Sequence, residues 1–336
     1  MLCSICLCGN GVCLLKKPTT YVGGQAVIEG VMMRGPKYIA TAVRTPSGQI
    51  TVKKDEVHSL CERYPILKKP LLRGTIALYE SLVYGMKCLS YSAQAAGEEE
   101  EELSRPQMIA TMAFSIVLAI VIFLLIPTYG AKFIPGVMDS AVRLNIVEGV
   151  LRLLIFLLYI WGISLTSDIR RVYEYHGAEH KTIWTYESGE ELTVENVKKH
   201  SRLHPRCGTN FLLIVMVVSI FVFAFLGWPN LAERMISRIL LMPVVAGISY
   251  EMIRIAARTE SPFVQALFKP GLYLQYLTTR EPHADQIEVA IEAMNAAKPE
   301  DHEETPDGDT ATVTITPAGP GRKMHPVPNR HKPGVL

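Results

Sequence analysis

Residues 108–126, MIATMAFSIVLAIVIFLLI, run for 19 positions without a charged side chain. As a helix this stretch is roughly 28 Å long, close to the ~30 Å hydrocarbon thickness of a bilayer. Residues 211–228, FLLIVMVVSIFVFAFLGW, give a second run of 18. Residues 144–167 form a third candidate, in which Glu148 and Arg152 stand four apart and can pair, lowering the cost of burying both. Residues 236–255 form a weaker fourth. Its charge-free core, 239–250, has only 12 residues and is interrupted by Pro243 and Gly247, which suits a kinked span or a re-entrant helix. The predicted fold is an α-helical integral membrane protein with about four transmembrane helices, spanning 105–258. The competing reading is a soluble protein with two or three buried core helices.

Composition agrees with a membrane protein that has a large aqueous part. Hydrophobic residues are 49%, charged residues 20% and mean hydropathy is +0.20. The net charge of +2 is too small to suggest a nucleic-acid partner. Its distribution is more telling. The 167–209 connection holds Arg170, Arg171, Lys181, Lys198, Lys199, Arg202 and Arg206, whereas 127–143 holds only Lys132 and Arg143, and 229–238 only Arg234 and Arg238. Positive residues favour the inside, so 167–209 is expected in the cytoplasm, and four spans put both termini there.

The remaining segments divide by pattern. Cys3, Cys6, Cys8 and Cys13 crowd residues 1–20. They could bind a metal or be acylated, but the bland expectation is a disordered extension with reduced thiols. Residues 21–60 read as a small antiparallel β-sheet: 37–45 (KYIATAVRT) and 49–57 (QITVKKDEV) flank a Pro46-Ser47-Gly48 turn. Within 61–104, residues 71–96 have helical spacing, with an apolar stripe that includes Leu78, Leu82, Val83 and Met86. They predict an amphipathic helix on the membrane or against the bundle, followed by the acidic linker Glu98–Glu102. Residues 259–296 are read as a C-terminal cytoplasmic segment, and the Pro- and Gly-rich tail 297–336 as disordered.

Chemistry concentrates in 167–209. His176-Gly-Ala-Glu179-His180 is followed by His200-x-x-x-His204-x-x-Cys207. Histidines four apart share one helix face, and imidazole and thiolate suit a borderline-soft divalent metal such as zinc. Candidate ligands are therefore His176, His180, His200, His204 and Cys207. Glu179 is the candidate general base of a hydrolase in which the metal activates water. Five ligands are too many for one catalytic site, so some must support the others or a second metal binds. Asp168 could orient an imidazole, and the strand-associated Glu29 and Arg34 could line a site. The bland readings are capping or hydrogen-bonded histidines and solvated charges. Other readings make Cys207 a nucleophile, treat the histidines as an oxidative di-iron set, or make the protein a non-enzymatic membrane scaffold with a structural metal. Tyr173, Tyr175, Trp184 and Tyr186 could meet a lipid or membrane-protein substrate, or form an interfacial belt. His283 could approach the cluster.

GGQAVIEGVMMRGP (23–36), DIRRVYEYHGAEHKTI (168–183), HPRCGTNF (204–211) and the closing LTTREP (277–282) with EVAIEAM (288–294) resemble the YqhQ-like family of bacterial membrane proteins over roughly residues 20–295. The resemblance implies a location in the bacterial plasma membrane and, in the family's description, a predicted metal-dependent enzyme. It implies no substrate.

Overall fold

The structure is a computed structural model that describes residues 22–97, 105–226, 231–256, 259, 261–299 and 312–315. The cysteines of 1–20 and the acidic run of the linker lie outside the described residues.

The N-terminal strands form an antiparallel meander, β1 (Gly23–Val27), β2 (Gly30–Arg34), β3 (Tyr38–Arg44) and β4 (Ile50–Glu56). The two-residue turn between β1 and β2 holds Glu29 at φ 50°. A fifth strand, β5 (Thr312–Ile315), pairs antiparallel with β4, inside the tail for which the sequence predicts disorder. Its Thr-Val-Thr-Ile string is β-branched throughout, which favours extended backbone despite the polar surroundings.

Both faces of the sheet are covered. Val31, Met33, Ala40 and Ala42 pack against two helices, α6 (Ser167–Ser188) and α11 (Ala284–Ala297), in the largest buried core. Val27, Met32 and Ile39 face the other way, onto Cys88 of α2 (Leu72–Ala95). Period-two alternation thus feeds two cores rather than dividing core from solvent.

Before α2 comes the short α1 (Leu60–Arg63), capped by Ser59. Of the two packings expected for α2, with its apolar stripe on the membrane or against the bundle, the stripe is not packed against the bundle. The buried positions of α2 are Gly74, Glu80, Gly85, Cys88 and Ser92, while Leu82, Val83 and Met86 of the apolar stripe are exposed. Small residues let the backbone come close: a Cβ on Gly74 would stand 2.6 Å from Tyr250, and one on Gly85 2.6 Å from Gln25.

Helix α3 (Arg105–Ile120) continues through a π-helical turn, Val121–Leu125, into α4 (Ile126–Gly130). α5 is Ala141–Ile163, α7 Val194–Lys199, α8 Gly208–Ala224, α9 Leu231–Ala256 and α10 Pro262–Thr278. Among the described residues, three stretches are long and apolar enough to cross a membrane: Ala113–Phe133, Ala141–Ile163 and Met235–Ala256. The stretch weakest in the sequence lies within α9, whose 26 residues run helical through Pro243. The strong 211–228 run yields α8, with only 17 helical residues, because Gly227 and Pro229 follow and disfavour extending it.

The helices share a buried polar network. Glu148 is fully buried and accepts from Thr128 Oγ1 (2.7 Å), from Arg152 (2.9 Å) and from Arg238. Arg152 Nε also donates to the Phe123 carbonyl of the π-helical turn (2.9 Å). Arg152 is thus tied to the deviation from α-helical pairing in that turn.

Candidate metal centre

Helix α6 carries His176, Glu179 and His180 on one face. Cys207 arrives from the other side of the chain as the N-cap of α8, its Sγ accepting from the Thr209 amide (3.4 Å). Two histidine nitrogens and the sulfur lie within 4.8 Å of one another, and Cys207 Sγ is 3.3 Å from His176 Nε2.

Both rings are oriented from behind. His176 Nδ1 is 2.8 Å from the Thr278 carbonyl, and His180 Nδ1 is 2.5 Å from the Arg202 carbonyl. A carbonyl accepts only from N–H, so each Nδ1 carries the proton and each Nε2 presents its lone pair to the cluster. Carbonyl-backed imidazoles of this kind are the usual support of metal-ligating histidines. His180 Nε2 and Glu179 Oε2 are buried without a hydrogen-bond partner, and Glu179 Oε2 lies 4.0 Å from His176 Nε2. Two imidazole nitrogens, one thiolate and an adjacent carboxylate match the donor set zinc takes, and the orphaned atoms are those a cation would satisfy.

Electrostatics follow from burial. Desolvation pushes Glu179 up to about 8, with Cys207 adding to the rise and His176 opposing it. Burial holds His180 below its ordinary value, assisted by His176. Burial alone would raise the Cys207 thiol, but the neighbouring His180 imidazole and the Thr209 hydroxyl and amide bring it below the ordinary value.

The remaining sequence candidates lie outside the three-ligand group, although the His204 ring adjoins it. His204 is buried, its ring 5.7 Å from that of His180 and 4.8 Å from Trp184. Its Nδ1 accepts from the Arg206 amide (3.3 Å), and its Nε2 is 3.6 Å from Glu187. Burial lowers it to about 4. His200 lies 3.3 Å from Glu190, outside the three-ligand group. Asp168 is exposed in the first turn of α6, two helical turns short of His176, so it orients no ligand. Arg171 pairs instead with Glu29, which also accepts from Tyr175 (3.3 Å). Glu29 therefore ties the β1–β2 turn to α6 rather than lining the cluster. Arg34 pairs with Glu80 (2.9 Å). His283 caps α11 through Gln286. Tyr175 is fully buried, so it is core rather than part of an interfacial belt, while the half-buried Trp184 donates its indole N–H to the Leu203 carbonyl (2.9 Å).

Two residues that shape the centre, Gly177 and Gln275, were not singled out from the sequence, whereas Gly24 belongs to a set of glycines (Gly23, Gly24, Gly30 and Gly35) whose backbone could approach a ligand or simply form bulges and turns. Gly24 lies against Glu179: a Cβ there would come within 2.8 Å of its Cγ and Oε1. Gly177 lies against Arg280, with only 2.0 Å between a notional Cβ and the Arg280 carbonyl oxygen. Gln275 brackets His204, accepting from its amide and donating to its carbonyl, both at 2.8 Å. Gly24 and Gly177 lie in the strings GGQ and HGAEH, and Gln275 lies just before LTTREP, but neither glycine nor glutamine declares metal chemistry by residue type.

The family model described as "Protein of unknown function (DUF1385)" matches residues 69–300, which hold the whole cluster. The chain is also similar to the protein described as "Uncharacterized protein YqhQ" of Bacillus subtilis (strain 168), with 38% identity over 297 residues, covering 83% of this chain and 92% of that one. No solved structure matches the chain.

Proposed function

We propose, for a chain that belongs to the DUF1385 family, the YqhQ-like proteins, that it is a zinc-dependent hydrolase at the cytoplasmic face of the bacterial plasma membrane. His176, His180 and Cys207 would hold the ion, and Glu179 would serve as general base. The observation that carries this reading is the convergence of two carbonyl-backed Nε2 atoms, one thiol and one unpartnered carboxylate oxygen. Three protein ligands leave a coordination position open, as catalytic zinc sites do. Bound there, zinc would supply Lewis acidity and lower the pKa of a water in that position. The chain's own contribution is orientation and proton handling. Thr278 and Arg202 fix the two imidazoles, and Glu179 presents Oε2 for a proton beside the cluster.

The membrane reading takes α8 as a fourth, short span beside the three longer ones, which returns the chain to the side that holds α6 and the sheet. The Lys/Arg excess of 167–209 supports the cytoplasm as that side. Cys207 caps α8 directly, so the cluster lies at the membrane boundary. A lipid or a juxtamembrane protein segment could reach it there.

A second reading, a scaffold with a structural metal, is favoured by the low exposure of Glu179 (4%), His180 (1%) and Cys207 (7%). Glu179→Gln separates the two. On the enzyme reading the variant keeps its metal while activity, read as complementation of a deletion strain, falls by roughly 10²–10⁴-fold. Full complementation supports the scaffold instead.

A further inference from the structure

A second polar cleft lies apart from the metal centre, where β2, the α1–α2 connection and the C-terminal part of α9 meet. This open cavity of about 380 Å³ is lined by Arg34, Ser59, Lys68, Arg73, Glu80 and Tyr250, among others. Glu80 is nearly buried and fully engaged. It accepts from Ser59 Oγ (3.0 Å), the Leu60 amide (2.7 Å) and Arg34 Nη2 (2.9 Å). Arg73 is held against Glu251 through Nε (2.6 Å) and Nη2. Arg73 is thus fixed along one edge by a carboxylate and Arg34 through a single Nη2 contact, and Nη1 of each takes no part in those bonds. Lys68 adds a third positive charge. Fixed guanidinium groups with free N–H donors and a nearby ammonium suit a phosphate group.

The rim of the cleft indicates where such a phosphate comes from. Tyr64, Ile66, Leu71 and Leu72 are 43–62% exposed and alternate along the chain with Lys68, Lys69 and Arg73. Exposed large apolar residues interleaved with cations are the pattern of a segment lying in a membrane interface. Leu71 takes φ 70°, rare for a residue with a side chain. The turn it makes brings the Lys68 connection and Arg73 to the same cleft. Tyr250 and Glu251 come from α9, a candidate span, near its end at Ala256.

We propose that this cleft binds the phosphate of an anionic phospholipid headgroup, with Arg34, Lys68 and Arg73 as its cationic contacts. The inference rests on the membrane reading of α9. Recovery of the full chain only from the detergent-solubilised membrane fraction tests that reading separately. The binding itself is tested by native mass spectrometry of the detergent-purified full chain titrated with phosphatidylglycerol, phosphatidylcholine or glycerol 1-phosphate. Phosphatidylglycerol is expected to bind about fivefold or more tighter than phosphatidylcholine. Lys68→Gln should weaken it by roughly fivefold, the usual effect of one lysine at an anionic surface. Lys69→Gln, outside the lining, should change it by less than about twofold. Lys68 is exposed, so its replacement leaves the fold intact, which an unchanged melting temperature will verify. Equal affinity for the two lipids, or equal effects of the two lysine variants, would overturn the proposal. So would binding of glycerol 1-phosphate without retention of phosphatidylglycerol, which assigns the cleft to a soluble phosphate ester.

Discussion

At the scale of single residues, the metal centre depends on groups that are not themselves ligands. Gly24 is the clearest case, because a methyl there would press on Glu179 at 2.8 Å. Gly24→Ala is expected to displace the Glu179 carboxylate, lower complementation by tenfold or more and leave metal content unchanged, since no ligand is touched. Loss of metal in that variant would show that Glu179 itself holds the ion. Gly177→Ala is expected to act differently. Its clash is with the backbone oxygen of Arg280 at 2.0 Å, which cannot swing aside. The cost should be about 1–3 kcal/mol of stability, read as a lower thermal midpoint in detergent. The sequence made His176, His180 and Cys207 legible because their side chains are metal ligands by type. It could not separate them from His200 and His204, because spacing along a chain does not say which way a loop turns an imidazole. Arg202 and Thr278 act through backbone carbonyls, which every residue has, so residue type could not single them out.

At the scale of elements, the buried network around Glu148 joins α4, α5 and α9. Glu148 receives Thr128, Arg152 and Arg238. Removing the carboxylate charge leaves two guanidinium groups against a neutral partner in a region shielded from water. Breaking such buried pairs costs about 3–5 kcal/mol. Glu148→Gln is therefore expected to lower the midpoint of thermal unfolding markedly while leaving metal content per folded chain unchanged. An unchanged midpoint would mean that the network contributes nothing net. The i,i+4 pairing of Glu148 with Arg152 could be read from sequence. The third partner, Arg238, is 90 positions away and belongs to a helix whose Pro243 made it look interrupted. The apolar stripe of α2 was equally legible as a pattern, but its packing was not. The glycines of the opposite face allow closer approach than leucines do, and Glu80 on that face is held by Ser59, Leu60 and Arg34, so the stripe is left outward.

At the scale of the whole molecule, a sheet covered by α2 on one side and α6 with α11 on the other is joined to a group of apolar helices, and the metal cluster forms where the two meet. The antiparallel sheet and the main apolar runs were visible as periodicity and length. The strand Thr312–Ile315 was not, because four β-branched residues in a polar tail are too few to register in composition. The proposed topology makes a labelling prediction. A cysteine introduced at Ser188, at the end of α6, is expected to resist a membrane-impermeant thiol reagent in intact cells and to react after permeabilisation. Labelling from outside would reverse the orientation and move the centre to the other face.

The central claim is that His176, His180 and Cys207 hold a metal, and its most direct test is elemental analysis of the detergent-purified full chain beside His180→Ala and Cys207→Ser. The account expects about one zinc per wild-type chain, with little in either variant even when the variants elute as folded protein. A His200→Ala control should keep its metal, because that ring lies against Glu190 and outside the cluster. Wild-type protein purified without chelators and lacking a stoichiometric metal, or a His180→Ala variant that retains one, would contradict it.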